Sequence, residues 1–217
     1  MKKRMDPKTL HYLFDPLCGW CYGAGPAVSL LQAQPGVRFE LLPTGLFSGD
    51  GARPMDDGFA AYAWSNDQRI ERLTGQRFTA RYRERILGDR QQLFDSGPAT
   101  MALTAVSLTD PDHELEALKA IQHARYVDGN DVVSLTALAD LLRTLGLNEA
   151  AAKLAHPDAD LLGAQRTRVG RAQALMRELG ARGVPTLVVE SGTKRRLLDL
   201  SAGYANPQAL LSQLEAG

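Results

Sequence analysis

The spacing of apolar residues predicts strand, helix and strand in the first 43 residues of the chain. The segment "LHYLF", residues 10–14, is a short apolar run closed by Asp15-Pro16, which predicts a buried strand. The segment "VRFELLP" alternates apolar and polar residues, as half-buried strands do. Between them we expect a helix from Cys18 to about Gln34, kinked near Pro26 because proline removes a backbone hydrogen bond. A right-handed crossover would make the two strands parallel neighbours.

From about residue 49 to residue 180 the apolar spacing changes to that of helices. The best-defined segment is "SLTALADLLRTLG", in which Ser134 can cap the start, five leucines form one face and Gly146 ends the helix. Similar patterns predict helices that open at Pro98 and at Asp112, and a longer helix that ends at Gly180. We therefore interpret this region as an all-helical block.

The C-terminal region returns to strands. The segments "VPTLVVE" and "KRRLLDL" flank the turn "SGT" and predict a β-hairpin. The segment "NPQALLSQL" predicts a final helix, capped by Asn206 and with Pro207 in its first position. The chain is therefore predicted to be α/β, in the order βαβ, helical block, ββα. Residues 1–48 and 181–217 would form one discontinuous domain, and residues 49–180 would be a helical domain inserted into it.

Length and charge exclude several functional classes. At 217 residues the chain can bury a sizeable core, and its 25 lysines and arginines balance 25 aspartates and glutamates. This balance gives no reason to expect a nucleic acid or an anionic membrane as partner. The basic start is not followed by the apolar stretch of a secretory signal, and no run reaches the roughly 18 apolar residues of a spanning helix. We expect a cytoplasmic protein.

The candidate chemistry lies in Cys18 and Cys21, the only two cysteines of the chain. In a reducing cytosol such a pair is expected to be catalytic, redox-sensing or metal-binding rather than a structural disulfide. A zinc site needs about four ligands, and the four histidines are scattered, so no metal is expected. A C-x-x-C that follows a strand is typical of a redox site, although two small core residues remain the alternative.

The predicted position of the pair at a helix start supports thiol chemistry. Free backbone N–H groups and the positive helix end stabilise the thiolate of Cys18, whereas Cys21 should be less exposed and less acidic. Asp15, just before the motif, would oppose the thiolate if it pointed inward. Its alternative role is that of a turn or capping residue.

The segments "FDPLCGWCY" and "GVPTLVV", together with the order of elements, resemble the thioredoxin fold in its DsbA-like form. The resemblance is closest to the cytoplasmic branch called FrnE-like, or predicted protein-disulfide isomerases. It implies that Cys18 is the nucleophile, Cys21 the resolving cysteine and Pro185 a cis-proline facing them. A cis bond there would turn the Val184 backbone toward Cys18, and we expect substrate contacts at Val184, Trp20 and Gly19. The dipeptide Gly19-Trp20 replaces the Pro-His of the periplasmic oxidant, whose histidine helps to stabilise the thiolate.

We therefore expect a thiol-disulfide oxidoreductase acting on protein or low-molecular-weight disulfides. Turnover needs a thiol reductant or oxidant, and no cofactor is expected apart from glutathione as a redox partner. One alternative is a glutathione-dependent enzyme of the kappa-transferase or hydroxychromene-carboxylate isomerase type, although those relatives typically carry serine in place of Cys18. Another alternative is a redox-gated, chaperone-like binding module.

Aromatic residues near the motif leave two interpretations open. Trp20 and Tyr22 could provide an apolar surface around the reactive sulfur, or one of them could belong to the core. The cluster of Met55, Phe59, Tyr62 and Trp64 could line a groove beside Cys18, although such residues more often belong to the core.

Overall fold

The structure of the protein is a computed structural model, which describes residues 8–215. Its strands are β1 Lys8–Phe14, β2 Val37–Pro43, β3 Arg53–Pro54, β4 Leu93–Phe94, β5 Thr186–Ser191 and β6 Lys194–Leu198. A mixed sheet has the order β2-β1-β5-β6. In it, β1 is parallel to β2 and antiparallel to β5, with Leu10 between Phe39 and Val189. The predicted parallel pair and the C-terminal hairpin are therefore confirmed, whereas the basic residues 1–7 lie outside the described part.

The helices largely follow the predicted pattern. They are α1 Gly19–Gly23, α2 Gly25–Gln32, α3 Asp57–Thr74, α4 Ala80–Tyr82, α5 Gly97–Thr109, α6 Glu114–Tyr126, α7 Leu135–Thr144, α8 Asn148–Ala155, α9 Ala159–Leu179, α10 Ser201–Ala205 and α11 Gln208–Glu215. Ser134 caps α7, since its hydroxyl oxygen accepts a hydrogen bond from the Ala137 N–H at 3.3 Å. Gly180 ends α9 in the left-handed conformation, with φ of 64°, which glycine adopts without steric cost.

Some details differ from the sequence prediction. The region of residues 49–180 is helical apart from β3 and β4, two short strands that pair with each other. Asp112 lies in a 3-10 turn before α6 rather than capping it, because the turn carries the chain directly into the helix at Glu114. The final helix begins at Gln208, after Pro207, and α10 precedes it without having been predicted.

The helical block packs directly on the sheet. Alternation along β1 sends Leu10 and Phe14 into the main core, which also contains Leu103 of α5. Leu13 points to the opposite face and packs under Leu175 of α9. Because both faces of β1 are covered, its apolar residues run almost without interruption, as expected for a strand with parallel pairing. The exact division into residues 1–48 with 181–217 and 49–180 stays a prediction.

The segment that follows β1 is held by the helical block. The helix of the motif is interrupted at Ala24, so that α1 ends at Gly23 and Pro26 lies in the first turn of α2. Helix α3 crosses α1 so closely that a Cβ atom on Gly23 would lie 2.6 Å from Ile70. The inserted block therefore forms one wall around the cysteine motif.

Candidate active site

The structure places Cys18 at the start of α1 and Cys21 one turn further in. Cys18 is the N-cap residue, with extended backbone (φ −84°, ψ 119°), and is 8% exposed, whereas Cys21 is only 1% exposed. Both are free thiols. The Tyr12 hydroxyl donates a hydrogen bond to the backbone oxygen of Cys21 at 3.1 Å and fixes the end of the motif against β1.

Burial separates the chemistry of the two thiols. It raises the pKa of the Cys21 thiol well above its ordinary value, and the hydrogen bond and charge of the neighbouring Cys18 raise it further. Cys21 is therefore a neutral thiol near pH 7, while Cys18 is the cysteine with access to solvent. The expectation that Cys21 is the less exposed of the pair agrees with this arrangement.

The loop before β5 faces Cys18. Its Val184–Pro185 peptide bond is cis, as the family resemblance implied. The Cys18 thiol donates to the backbone oxygen of Val184, with a sulfur–oxygen distance of 3.7 Å. The loop is closed by the Thr186 hydroxyl, which donates to the Gly183 oxygen at 2.7 Å. Residues some 166 positions apart in the sequence are thereby brought into contact.

Asp15 lies beneath the motif as a fully buried turn residue. One carboxylate oxygen accepts from the Leu17 N–H at 2.9 Å, and the other accepts from the Phe47 N–H at 3.1 Å and the Ser96 hydroxyl at 2.7 Å. Burial raises the pKa of Asp15, and these hydrogen bonds counteract the rise. Asp15 therefore points inward and also has the turn role, because its bonds shape the loop that carries Cys18.

A narrow cavity of about 130 Å³ opens beside Cys18, and we call it the aromatic cleft. Its walls include Cys18, Gly19, Trp20, Phe47, Phe59, Tyr62, Asp67, Tyr82, Phe94 and Tyr126. Of the predicted aromatic cluster, Phe59 and Tyr62 line this cleft. Met55 is core, and Trp64 lies under the guanidinium of Arg83 on another side of α3. Tyr22 also belongs to the core.

A wider groove lies on the other side of Trp20, and we call it the cis-proline groove. It has a volume of about 610 Å³ and is lined by Val184 and Pro185 among others. The Trp20 ring contacts Tyr204 edge-on at 5.1 Å and carries the Arg69 guanidinium 5.5 Å from its centre. Trp20 thus separates the two cavities, whereas Gly19 borders only the aromatic cleft.

Sequence reasoning missed several residues of these cavities, and Asp67 is the most informative. It occupies the buried face of α3 together with Ala60 and Ile70. In the sequence, Asp67 stands at a helical spacing that is otherwise occupied by apolar residues, and this pattern could have indicated a buried carboxyl group. Phe47 and Phe94 come from short connecting segments without periodicity, so nothing in their local sequence could have placed them at the cleft.

Residues 8–215 contain neither a metal-binding cluster nor a membrane-spanning helix. Within them, no group of three or more histidine, cysteine, aspartate or glutamate side chains is arranged to hold a metal ion. No helix in the same range is long and apolar enough to cross a bilayer.

The βαβ–ββα sheet, with a helix-initial cysteine facing a cis-proline loop, defines the thioredoxin class of fold and site. The family is narrower: the model of the DSBA-like thioredoxin domain matches residues 9–215, and the chain belongs to that family. The resemblance noted in the sequence is therefore confirmed. The protein is a thiol-disulfide oxidoreductase of the DsbA-like type.

Solved structures place the chain within this family in more detail. The cytosolic disulfide reductase DsbM from Pseudomonas aeruginosa is 35% identical, with a TM-score of 0.86 over 96% of this chain and 97% of that one. The same protein with GSH is similar at a TM-score of 0.85, with 34% identity, 96% of this chain and 98% of that one. A candidate protein disulfide isomerase from Nitrosomonas europaea is 28% identical, with a TM-score of 0.80 over 97% of both chains. No curated protein sequence matches the chain.

Proposed function

We propose that this chain is a cytosolic disulfide reductase in which Cys18 attacks and Cys21 resolves, with glutathione as the thiol partner. The observation that carries the proposal is the asymmetry of the pair. Cys18 is the accessible thiol at a helix start facing Val184, and Cys21 lies behind it as a buried neutral thiol. The one relative named above as a cytosolic disulfide reductase, of which one structure holds GSH, supports the direction, the partner and the location.

The chemistry follows from the positions of the two sulfurs. The Cys18 thiolate attacks one sulfur of a substrate disulfide, the S–S bond breaks, and the leaving thiolate takes up a proton. Cys21 then loses its proton and attacks the Cys18 sulfur, which releases the second substrate thiol and leaves a Cys18–Cys21 disulfide. The substrate has gained two electrons. Two glutathione thiols then reduce the Cys18–Cys21 disulfide to two thiols. They supply two electrons and two protons and become glutathione disulfide.

The surroundings of Cys18 suit a peptide disulfide. The backbone of Val184 next to Pro185 can pair with an extended substrate segment, as an added strand does, and Gly19 and Trp20 would contact the residues beside its sulfur. The cis-proline groove is lined by two guanidinium groups, those of Arg69 and Arg182, and by one carboxylate, that of Asp199. This balance favours a substrate or thiol partner that carries carboxylates, as glutathione does.

The test compares the two single cysteine-to-serine variants in an insulin-reduction assay and in glutathione redox buffers. Cys18→Ser should abolish insulin reduction. Cys21→Ser should retain the attacking thiol and accumulate a mixed disulfide with glutathione that mass spectrometry detects. Full activity of Cys18→Ser, or a wild-type pair that never forms a disulfide in these buffers, would refute the proposal. Equal binding of unfolded clients by all variants, without exchange, would instead support the binding-module alternative.

A further inference from the structure

Asp67 is a buried carboxyl group in the wall of the aromatic cleft that also contains Cys18. It lies in the middle of α3 and is 4% exposed. Its Oδ2 atom accepts a hydrogen bond from the Tyr82 hydroxyl at 3.0 Å. Among the described residues, it has no ion-pair partner within 4 Å. Burying a carboxyl group costs free energy unless its neighbours bond to it or neutralise it, so the groups around Asp67 determine its protonation state.

The nearest neighbour of Asp67 on the motif is Gly19. A methyl group at position 19 would lie 2.6 Å from Asp67 Oδ1 and 3.2 Å from Ile70 Cδ1. The first distance is shorter than any ordinary contact, and the carboxyl cannot simply turn aside because Tyr82 holds its other oxygen. The residue after the attacking cysteine is therefore in direct contact with a side chain of the helical block.

In residues 8–215, Asp67 has one positively charged neighbour, Arg125, and otherwise only neutral or acidic titratable groups near it. The titratable and charged side chains beside it are Tyr82 in α4, and Arg125 and Tyr126 in α6, while Cys18 at the start of α1 lines the same cavity. Two others from segments that contact α3, Arg83 and Tyr204, lie instead against Trp64 and Trp20. Burial raises the pKa of Asp67 to about 7, although the Tyr82 hydrogen bond and the Arg125 charge lower it. Its charge therefore changes within the neutral pH range.

We propose that Asp67 is a positioning residue of the Cys18 site. Its carboxyl group leaves no room for a side chain larger than that of glycine at position 19, and once the carboxyl is ionised its negative charge disfavours the thiolate of Cys18. The inference rests on Cys18 being the attacking thiol of the proposed function. Two negative charges that share one cavity disfavour each other, so an ionised Asp67 makes formation of the Cys18 thiolate less favourable. A thiolate that is destabilised in this way also destabilises the reduced protein, which makes the couple more reducing.

The charge is tested by the rate at which Cys18 reacts with iodoacetamide between pH 5 and 9, in a Cys21→Ser background. Asp67→Asn keeps the shape and removes the charge, so the rate at pH 7.5 should rise by about threefold or more. The equilibrium constant for oxidation of the two-cysteine protein by glutathione disulfide should fall as well, because the reduced form gains stability. The matched control is Asp57→Asn, on the same helix with a 94% exposed side chain, and it should change neither. Superimposable profiles of wild type and Asp67→Asn would overturn the charge role.

The packing is tested separately by thermal unfolding of a double-mutant cycle. Gly19→Ala should lower Tm by about 4 °C or more in the wild-type background and by less than about 1 °C beside Asp67→Ala, which removes the clashing carboxyl. Equal losses in both backgrounds would show that Asp67 does not restrict position 19. Neither measurement requires turnover, so a failure of the insulin assay would refute the proposed function without deciding the role of Asp67.

Discussion

The two sides of the cysteine motif each hold a buried carboxyl group, and they differ in how these groups are bonded. Asp15, on the side of the sheet, accepts hydrogen bonds from three donors. Asp67, on the side of the helical block, accepts one from Tyr82 and borders the aromatic cleft. The first group is closed in by donors that suit an ionised carboxylate, whereas the second shares its cavity with Cys18.

This difference teaches that burial alone does not decide what a carboxyl group does. Burial raises the pKa of both groups. At Asp15 the donors come from the loop, from the segment after β2 and from the start of α5, so the carboxylate ties three parts of the fold together. At Asp67 a single side-chain donor leaves the protonation state free to respond to pH. We therefore interpret Asp15 as structural and Asp67 as a group that adjusts the site.

The largest expected effect is on the stability of an Asp15→Ala variant. The change would leave the N–H groups of Leu17 and Phe47 and the hydroxyl of Ser96 buried without their acceptor, at a cost of about 4 kcal/mol. Urea unfolding at pH 7 measures it. The control is Asp56→Ala, which removes an exposed cap that accepts from the Phe59 N–H and should cost about 1 kcal/mol. Equal losses in the two variants would contradict the structural role of Asp15.

The next effect is the pH dependence of stability that Asp67 causes. In the unfolded chain its carboxyl ionises near its ordinary pKa of 3.8, whereas in the folded protein its pKa is about 7. The folded state therefore binds one proton more between about pH 4 and 7, and its stability must fall as the pH rises through that window. Asp67→Asn should remove this loss, which is about 4 kcal/mol over the whole window.

The measurement is a series of urea unfolding curves of wild type and Asp67→Asn between pH 4.5 and 8. Because Asp15 is present in both proteins, its own contribution cancels in the difference. The free energies of unfolding should diverge as the pH rises, in favour of the variant. A constant difference across the series would mean that Asp67 keeps the same charge throughout.

Local sequence signals predict the surroundings of Asp15 better than those of Asp67. The order of strand and helix patterns, together with the C-x-x-C motif and the segment "GVPT", was sufficient to predict the fold through its family resemblance, because each of these is a local signal. The position of Asp15 before Pro16 predicted a turn for the same reason. The role of Asp67 could not be predicted, since its contact with Gly19 depends on how α3 crosses α1 about 50 residues away in the sequence. Local periodicity carries no information about that crossing.

The smallest expected effect distinguishes the two carboxyl groups by removing one hydroxyl donor from each. Ser96→Ala leaves Asp15 with its two backbone donors, so stability should fall by about 1 kcal/mol at every pH between 6 and 8. Tyr82→Phe leaves Asp67 without its hydrogen bond, which makes ionisation more costly. The upper end of the pH range over which stability declines should then move upward from about 7 by about one pH unit, with little change at pH 5. If Ser96→Ala moved the decline instead, or if Tyr82→Phe lowered stability equally at all pH values, the assignment of a structural and an adjustable carboxyl would be reversed.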